Sequence, residues 1–317
     1  MSSPGATVFS VIIPRAPGRE VMTLASLKAM EYPADLYEVL LEAGPSPPAN
    51  RNRCFERSRG DVLAFTDDDC VVDPRWLAQA AAFFRDHPDY DVVGGPQLTG
   101  PWETGFARAS GYALGSFFGA YRMSRRYRRG RPDLHADQLA LSTPNLFVTR
   151  RAFERWGPFD ERLCPNEETA LLKRIADGGG RIASDPDIVV YHQRRPLKGF
   201  ARQCFGYGAG RARQMHVEGR WIPGAGVAVP GGFLVYLLLL PVLLLAGGPW
   251  WLVPAGAYAG ANLAVSVSIA VAYGDPAAAV WLPVAFSVMH LAYPLGVVMG
   301  AARVIRSGAG LDGRSYR

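Results

Sequence analysis

Short apolar runs alternate with helical patterns over the first two thirds of the chain. Strands are predicted for the apolar runs at residues 8–14, 37–42, 62–66, 91–95, 142–149 and 188–191. Helices are predicted at residues 20–30, 49–59, 73–87 and 151–156, with another that begins after Asn166. Alternation of strands and helices favours an α/β fold in which helices flank a mostly parallel sheet. Ligands of such sheets bind at the carboxyl ends of the strands.

A long apolar region follows this polar body. From Trp221 to Ala302, Asp275 is the only Asp, Glu, Lys or Arg. One membrane span needs about 20 residues, and turn signals divide the region into three segments at residues 227–246, 250–273 and 277–300. The sequence therefore predicts a polar domain at 1–220, a transmembrane region at 221–302 and a basic tail at 303–317.

The side of the membrane follows from charge and from the N-terminus. Residues 1–13 show no signal-peptide pattern, and Arg211 and Arg213 precede the first apolar segment, so the polar domain is expected in the cytoplasm. Three full spans place the basic tail on the opposite side. Either one segment is re-entrant, or the basic tail lies on the opposite side despite its preference for the cytoplasm. We favour three spans and a multi-pass protein of the inner cell membrane.

Basic residues are concentrated in one segment. The 317 residues carry 34 Lys and Arg against 28 Asp and Glu, and six arginines lie between 122 and 131, after an apolar and aromatic stretch that begins at 105. Segment 105–131 fits a membrane-proximal surface, an acceptor or pyrophosphate site built from Arg forks, or a solvated loop. The apolar C-terminal region disfavours nucleic acid as the partner. The four cysteines form no C-x-x-C pair and are expected to be reduced and mostly buried.

Three consecutive carboxylates, Asp67, Asp68 and Asp69, end the run at 62–66. Acids packed together repel one another, so a strand that ends in them requires a compensating cation, and Mg²⁺ or Mn²⁺ prefers such oxygen ligands. A solvated Asp-rich turn is the alternative. In a parallel sheet, Pro14 and Glu42 reach the same edge, which is the geometry of a nucleotide crevice. No G-x-G-x-x-G or Walker A sequence is present.

The helix that follows Asn166 opens with two acids. Asn166 is predicted to cap it. Glu168 lies three and four residues before Leu171 and Leu172, which places it on the inward face, whereas Glu167 is rotated towards the flank. A first-turn acid can also serve only as a cap.

Taken together, the motifs resemble one enzyme family. The matching pieces are Val11-Ile12-Ile13-Pro14, Arg51-Asn52, Gly60-Asp61 before Phe65-Thr66-Asp67-Asp68-Asp69, Gly157-Pro158-Phe159-Asp160-Glu161, Asn166-Glu167-Glu168, and Arg202-Gln203 with Tyr207-Gly208 and Gly210-Arg211. In this order, ahead of C-terminal spans, they resemble family 2 glycosyltransferases of the GT-A fold, which is a Rossmann-like sheet. The likeness covers about residues 8–213 and is to the membrane-bound bacterial enzymes of exopolysaccharide or lipid-linked glycan assembly.

The resemblance implies a role for each matching position. Asp67 would contact the nucleotide-sugar, and Asp69 would hold the metal, joined by His192 as in some members. Glu168 would be the general base, with Glu167 and Asp68 as supporting acids. The remaining assignments are nucleotide-sugar contacts at Pro14, Glu42, Arg51 and Asn52, and acceptor or pyrophosphate contacts at Arg202, Gln203 and Arg211.

Two departures from the family pattern lie in the nucleotide-base pocket. Arg15-Ala16-Pro17-Gly18-Arg19 replaces an aromatic-Asn pair, and Glu42-Ala43-Gly44-Pro45-Ser46 replaces Asp-Asp-Gly-Ser. A UDP-sugar is the favoured donor, although these changes leave the base open. The Gln-x-x-Arg-Trp element of processive synthases is absent, which favours transfer of a single sugar.

The function expected from this resemblance is inverting transfer of one sugar to a membrane-associated acceptor, either polyprenyl-linked or a glycan, with Mg²⁺ or Mn²⁺ as cofactor. One alternative is a non-catalytic, transferase-like membrane scaffold or glycan binder, which the altered base pocket supports. A metal-dependent phosphotransferase using the acidic triplet is the other, and it has no role for Glu168.

Overall fold

The computed structural model describes residues 7–219, 221 and 224–307. Within them the chain forms two compact units. The first contains the residues up to Gly100 and Arg125–Gln193, and the second contains Pro101–Ser124 and the residues from Arg194 onward. Residues 1–6, used for the expected cytoplasmic placement, and most of the predicted basic tail lie outside the described residues.

A six-stranded sheet forms the centre of the first unit. Strands occur, in chain order, at β1 (Phe9–Arg15), β2 (Tyr37–Ala43), β3 (Val62–Phe65), β4 (Cys70–Val72), β5 (Val92–Gly94), β6 (Gln97–Thr99), β7 (Leu146–Thr149), β8 (Ile182–Ser184) and β9 (Val190–His192). The large sheet has the order β2-β1-β3-β7-β5-β8. Strand β7 runs antiparallel to both of its neighbours, and the other five strands share one direction. The prediction of a mostly parallel α/β sheet is confirmed.

Helices cover both faces of this sheet. The helices of the chain are α1 (Thr23–Leu27), α2 (Pro47–Arg57), α3 (Trp76–Asp86), α4 (Gly105–Leu114), α5 (Phe117–Ala120), α6 (Arg150–Trp156), α7 (Glu167–Asp177), α8 (Leu197–Val217), α9 (Ala225–Gly247), α10 (Val253–Ala272) and α11 (Ala278–Ser307). Because side chains alternate along a strand, Val11 and Ile13 pack on the side of α1 and α3. Ile12 and Phe65 pack with α2, α6 and α7 on the other side. The acidic edge of the sheet is thereby held between two apolar layers.

A second sheet, in the order β4-β9-β6, extends this edge. Its pairing register sets Cys70 opposite His192, and the backbone N–H of Gln193 donates to the carbonyl of Asp69 at 3.1 Å. The short strands β4, β6 and β8 were not predicted, whereas the equally short β5 and β9 overlap the predicted runs 91–95 and 188–191. Helix α1 is shorter than the predicted 20–30, since Ala29 and Met30 bond three residues back instead of four.

The second unit is helical, and it contains more of the chain than the sequence predicted. Helix α8 lies before the expected boundary at residue 220, yet it groups with the C-terminal helices. Its glycine face explains this difference. A Cβ at Gly208 would collide with the backbone of Tyr293, and one at Gly296 would collide with the backbone of Phe205. Glycine at these positions therefore permits close contact between the backbones of α8 and α11.

Three helices are long and apolar enough to cross a membrane, at Ala225–Gly247, Pro249–Ala272 and Ala278–Arg306. They overlap the predicted segments 227–246, 250–273 and 277–300, and the last helix continues through Arg303 and Arg306 of the predicted tail. Helix α4, from segment 105–131, also belongs to the helical unit, where Phe106 contacts Trp281 with ring centroids 6.1 Å apart.

Candidate functional site

The three acids that follow β3 each have a different set of partners. Asp67 Oδ1 accepts from Arg51 at 2.7 Å. Asp68 accepts from Arg19 at 3.0 Å and from the backbone N–H of Ala16 at 3.0 Å. The same Arg19 nitrogen donates to Asp69 at 3.1 Å. Asp68 and Asp69 are buried, so the triplet is not a solvated turn, and part of its charge is compensated within the protein.

Asp69 also faces His192, with 3.3 Å between Oδ1 and Nε2. Nδ1 of this histidine lies 3.0 Å from the carbonyl oxygen of Gln193. A carbonyl only accepts hydrogen bonds, so Nδ1 carries the proton and the Nε2 of a neutral ring presents a lone pair to the carboxylate. Two acceptors that face each other need a proton or a cation between them.

These atoms fit a divalent metal site. Adjacent ligands of an octahedral ion with bonds of 2.0–2.1 Å are about 3 Å apart, close to the separation observed between Asp69 and His192. Cys70 completes a group whose ligand atoms lie within 4.8 Å of one another. Burial raises the pKa of the Cys70 thiol well above its ordinary value, so it remains neutral, and the oxygen and imidazole ligands are the ones suited to Mg²⁺ or Mn²⁺. None of the four cysteines forms a disulfide.

Arg51 connects the acidic triplet to α7. One guanidinium nitrogen donates to Asp67 at 2.7 Å and the other donates to Glu167 at 2.6 Å. The side chain lies on α2 and only 2% of the residue is exposed. The neighbouring Asn52 bonds instead to Phe159 and to Glu161, which fixes the turn before α7. Arg51 thus lies inside the site predicted from the sequence, whereas the amide of Asn52 is engaged by the protein itself.

Two buried glutamates open α7, and their surroundings differ from the prediction in two respects. Asn166 occupies the predicted N-cap position, but at φ 90° its side chain makes no capping hydrogen bond. Glu167 is buried like Glu168, because Arg51 supplies a polar partner that a hydrophobic stripe does not reveal. Burial raises the pKa of Glu167 to about 7, while Arg51 acts to lower it. The inward position predicted for Glu168 is confirmed.

Glu168 is held by an arginine that the sequence analysis did not single out. Arg126 donates to Glu168 Oε1 at 2.8 Å, to the carbonyls of Leu139 and Gln138, and to Thr169. It comes from the basic run 122–131 but is only 3% exposed. Nothing in the spacing of this run separates Arg126 from its exposed neighbours, so the pairing could not be predicted.

The other predicted contacts divide between the two units. Pro14 and Glu42 are partners across β1 and β2, at the edge where β3 delivers the acidic triplet. Arg53 and Arg57 hold Glu42 by hydrogen bonds and lower its pKa. Arg202, Gln203 and Arg211 lie on α8 of the helical unit, where Gln203 donates to Tyr207 and Arg211 donates to Gln214.

Comparison with known proteins agrees with this fold. Residues 38–156 match the family model described as Glycosyl transferase family 2. Glycosyltransferase AglE of Haloferax volcanii is 28% identical over 178 residues, which is 56% of this chain and 54% of that protein. Succinoglycan biosynthesis protein ExoA of Rhizobium meliloti is 35% identical over 150 residues, 46% of this chain and 43% of that protein. The chain therefore matches about half the length of these curated relatives.

Among solved structures, the chain is similar to mannosyltransferase PcManGT from Pyrobaculum calidifontis, which was solved in complex with GDP-Man and Mn²⁺. The TM-score is 0.55 at 17% identity, over 94% of this chain and 87% of that one. This similarity establishes a shared GT-A architecture. Residues 38–156 are therefore similar to family 2 glycosyltransferases, in a chain that has the GT-A architecture and three apolar helices that are long enough to cross a membrane.

Proposed function

We propose that the protein is a metal-dependent, inverting glycosyltransferase that moves one sugar from a nucleotide-diphosphate sugar to a membrane-associated acceptor. The observation that carries this proposal is the Arg51 bridge. It joins Asp67 to Glu167 through two short hydrogen bonds, and so links the acidic triplet to the glutamates of α7. Donor and base positions that are far apart in the sequence thereby share one buried network.

Each residue then has a chemical task. Asp67 and Pro14 contact the donor at the carboxyl edge of the sheet, as Glu42 does on the next strand. Asp69 and His192 would hold a Mg²⁺ or Mn²⁺ ion, which would neutralise charge on the departing nucleoside diphosphate. Glu168 takes the proton of the acceptor hydroxyl as its oxygen attacks the anomeric carbon. One displacement inverts that carbon, and Arg126 orients the base.

The acceptor is proposed to be lipid-linked or a glycan. Three apolar helices support a site held close to a bilayer, and one relative is named for succinoglycan biosynthesis. We place the catalytic domain on the cytoplasmic side of the inner cell membrane, because nucleotide-sugars are cytoplasmic and basic residues precede the first span. Arg202, Gln203 and Arg211 are proposed to contact the acceptor.

A UDP-sugar is the proposed donor. The similar mannosyltransferase was solved with GDP-Man and Mn²⁺, so GDP-mannose is the first compound to compare with it. A non-catalytic scaffold is the second candidate, and one observation favours it: Arg19 occupies the acid pair Asp68 and Asp69. The arginine side chain is 47% exposed, however, and can turn away when a cation binds.

The proposal is tested by thermal unfolding of the full chain in detergent, with nucleotide-sugars presented together with Mg²⁺ or Mn²⁺. A donor at a hundred times its dissociation constant adds about 2.7 kcal/mol, which raises Tm by about 5–10 °C for a domain of this size. The shift should require the metal and should be lost in Asp69→Asn. If none of the nucleotide-sugars shifts Tm with Mn²⁺ present, the scaffold hypothesis replaces the enzyme.

A further inference from the structure

A basic cavity lies in the first unit, apart from the acidic triplet. Its volume is about 390 Å³, which is within the usual size range of small-molecule sites. Its lining includes four arginines and one acid: Arg125, Arg128, Arg129, Arg131 and Asp133. Pro96, Ser184 and Pro186 also line it. We call this cavity the arginine pocket.

Strand topology places the arginine pocket at the same edge of the sheet as the candidate active site. Pro96 follows β5 and Ser184 ends β8, and both strands run in the direction of β3. In the strand order, β8 lies three positions from β3, or about 14 Å at the usual spacing of strands. The pocket therefore opens on the crevice edge but is separate from the acids proposed to hold the donor.

The wall of the pocket is built into the fold. Asp133 and Ser184 exchange backbone hydrogen bonds of 2.9 and 2.8 Å, so the segment after the basic run adds to the edge of the sheet beside β8. Asp137 fixes Arg125 at 2.7 Å. The position of the arginines is thus set by secondary structure as well as by their own contacts.

The charge of the pocket is incompletely compensated. Arg125 pairs with Asp133 and Asp137, and Arg129 lies 3.5 Å from Asp187. Arg128 and Arg131 are exposed and form no ion pair with any residue in the described ranges. Guanidinium groups gathered around one cavity repel one another, and an anion relieves this repulsion. The planar fork of arginine matches the oxygens of a phosphate particularly well.

The same segment reaches the candidate base. Arg126 is adjacent to Arg125 in the chain and close to Arg128, and it is anchored to Glu168 through a buried ion pair. An anion bound by the exposed arginines would therefore order the stretch of chain that holds Glu168 in place. This connection favours an anion that belongs to the acceptor over one that is unrelated to the reaction.

We infer that the arginine pocket binds a phosphate or pyrophosphate group carried by the acceptor. The acceptor role rests on the proposed glycosyltransferase function, whereas binding of the anion does not. The same chemistry is offered by a prenyl-linked pyrophosphate and by a soluble one, and the size of the pocket accommodates either headgroup.

The test is titration calorimetry of the full chain in detergent with inorganic pyrophosphate, in EDTA so that no divalent ion can hold the ligand at the acidic triplet. The double variant Arg128→Gln/Arg131→Gln should bind at least about tenfold more weakly, since each charge-assisted hydrogen bond contributes more than about 1 kcal/mol. The matched control is Arg85→Gln, an exposed arginine on α3 that pairs only with Asp86 among the contacts of the described chain, and it should bind as the wild type does. Wild-type protein that fails to bind pyrophosphate, or equal binding by the double variant, overturns the inference.

Two further arms separate the sources of the anion and the two proposals. Tighter binding of farnesyl pyrophosphate than of pyrophosphate assigns the site to a lipid-linked headgroup, and equal binding assigns it to a soluble phosphate. If the double variant loses affinity only for phosphatidylglycerol vesicles, the segment is a membrane contact and the inference fails. Pyrophosphate binding at the pocket without any Mn²⁺-dependent binding of nucleotide-sugars would retain the anion site and refute the glycosyltransferase function.

Discussion

Glu168→Gln is the change that best separates the two glutamates of α7. The amide oxygen of the substituted side chain would still accept the hydrogen bond from Arg126, but the carboxylate charge is lost. Arg126 is only 3% exposed, and its other contacts, among the residues described, are two carbonyls and a hydroxyl. A buried charge pair with centres about 4 Å apart is worth about 4 kcal/mol at an effective dielectric of 20. We expect destabilisation by about 3–4 kcal/mol, or a fall in Tm of about 6–15 °C.

The same change should remove general base catalysis. Loss of a positioned base lowers the rate by about 10²–10⁴-fold, while Mn²⁺-dependent binding of the donor should persist, because Asp67, Asp69 and His192 are untouched. The assay is release of nucleoside diphosphate from the donor found in the thermal screen, measured below the lowered Tm. Binding is followed by the donor-induced shift in Tm of the same preparation.

Glu167→Gln is the matched control. Arg51 keeps its bond to Asp67 at 2.7 Å and is not left without a counter-charge, and repulsion between the adjacent glutamates disappears, so the loss of stability should be smaller than in Glu168→Gln. Its rate should fall less than that of Glu168→Gln. Turnover by Glu168→Gln at the wild-type rate would refute the base assignment, and a larger loss in Glu167→Gln would transfer that role to Glu167.

Three further results are expected. Asp69→Asn should abolish the Mn²⁺-induced rise in Tm while leaving the metal-free Tm close to that of the wild type, and calorimetry with Mn²⁺ alone checks it. Burial raises the pKa of Glu167 from 4.5 to about 7, so the folded protein binds more protons than the unfolded chain between these values. The contribution of Glu167 to stability is therefore full below pH 4.5 and is lost as the pH rises to about 7. Glu167→Gln should flatten the dependence of Tm on pH over this range, and an unchanged slope would contradict the argument. Gly296→Ala should lower Tm by several degrees, since overpacking costs about 1–3 kcal/mol where the added Cβ meets the backbone of Phe205, whereas Gly231→Ala on α9, with open space around it, should be tolerated.

The sequence predicts the strands and helices that are long enough to show a pattern of apolar and polar residues. Strands β1, β2 and β3 and helices α2, α3 and α7 were all expected close to their observed positions. Strands β4, β6 and β8 have three residues each and are defined by their partners across the sheet, not by their own pattern. Helix α8 was not expected, because its glycines and arginines interrupt the apolar periodicity that predicts a helix. It is stabilised by close backbone contact with α11.

In the candidate site, too, some features could be predicted from the sequence and others could not. Convergence of Pro14, Glu42 and the acidic triplet follows from parallel strands, and the structure places them at one edge. Partner choice does not follow from local sequence, since Arg51 and Glu167 are 116 residues apart. Arg126 and Arg128 lie in the same basic run, and nothing in the neighbouring sequence distinguishes them. Arg126 is nevertheless buried against Glu168, whereas Arg128 is exposed. The pairing of charged residues that are distant in the sequence, rather than secondary structure, is what could not be predicted.

The charges of the network bear on whether the site functions without a cation. The carboxylates that meet there are Asp67, Asp68, Asp69, Glu167 and Glu168, and the arginines that pair with them are Arg19, Arg51 and Arg126. With His192 neutral, three arginines leave an excess of two negative charges when every acid is ionised. If the exposed Arg19 turns away to admit a divalent ion between Asp69 and His192, the excess becomes three negative charges and the ion would reduce it to one. The surplus charge therefore supports a metal-dependent donor site and weighs against a scaffold, in which selection for stability alone would favour fewer buried acids.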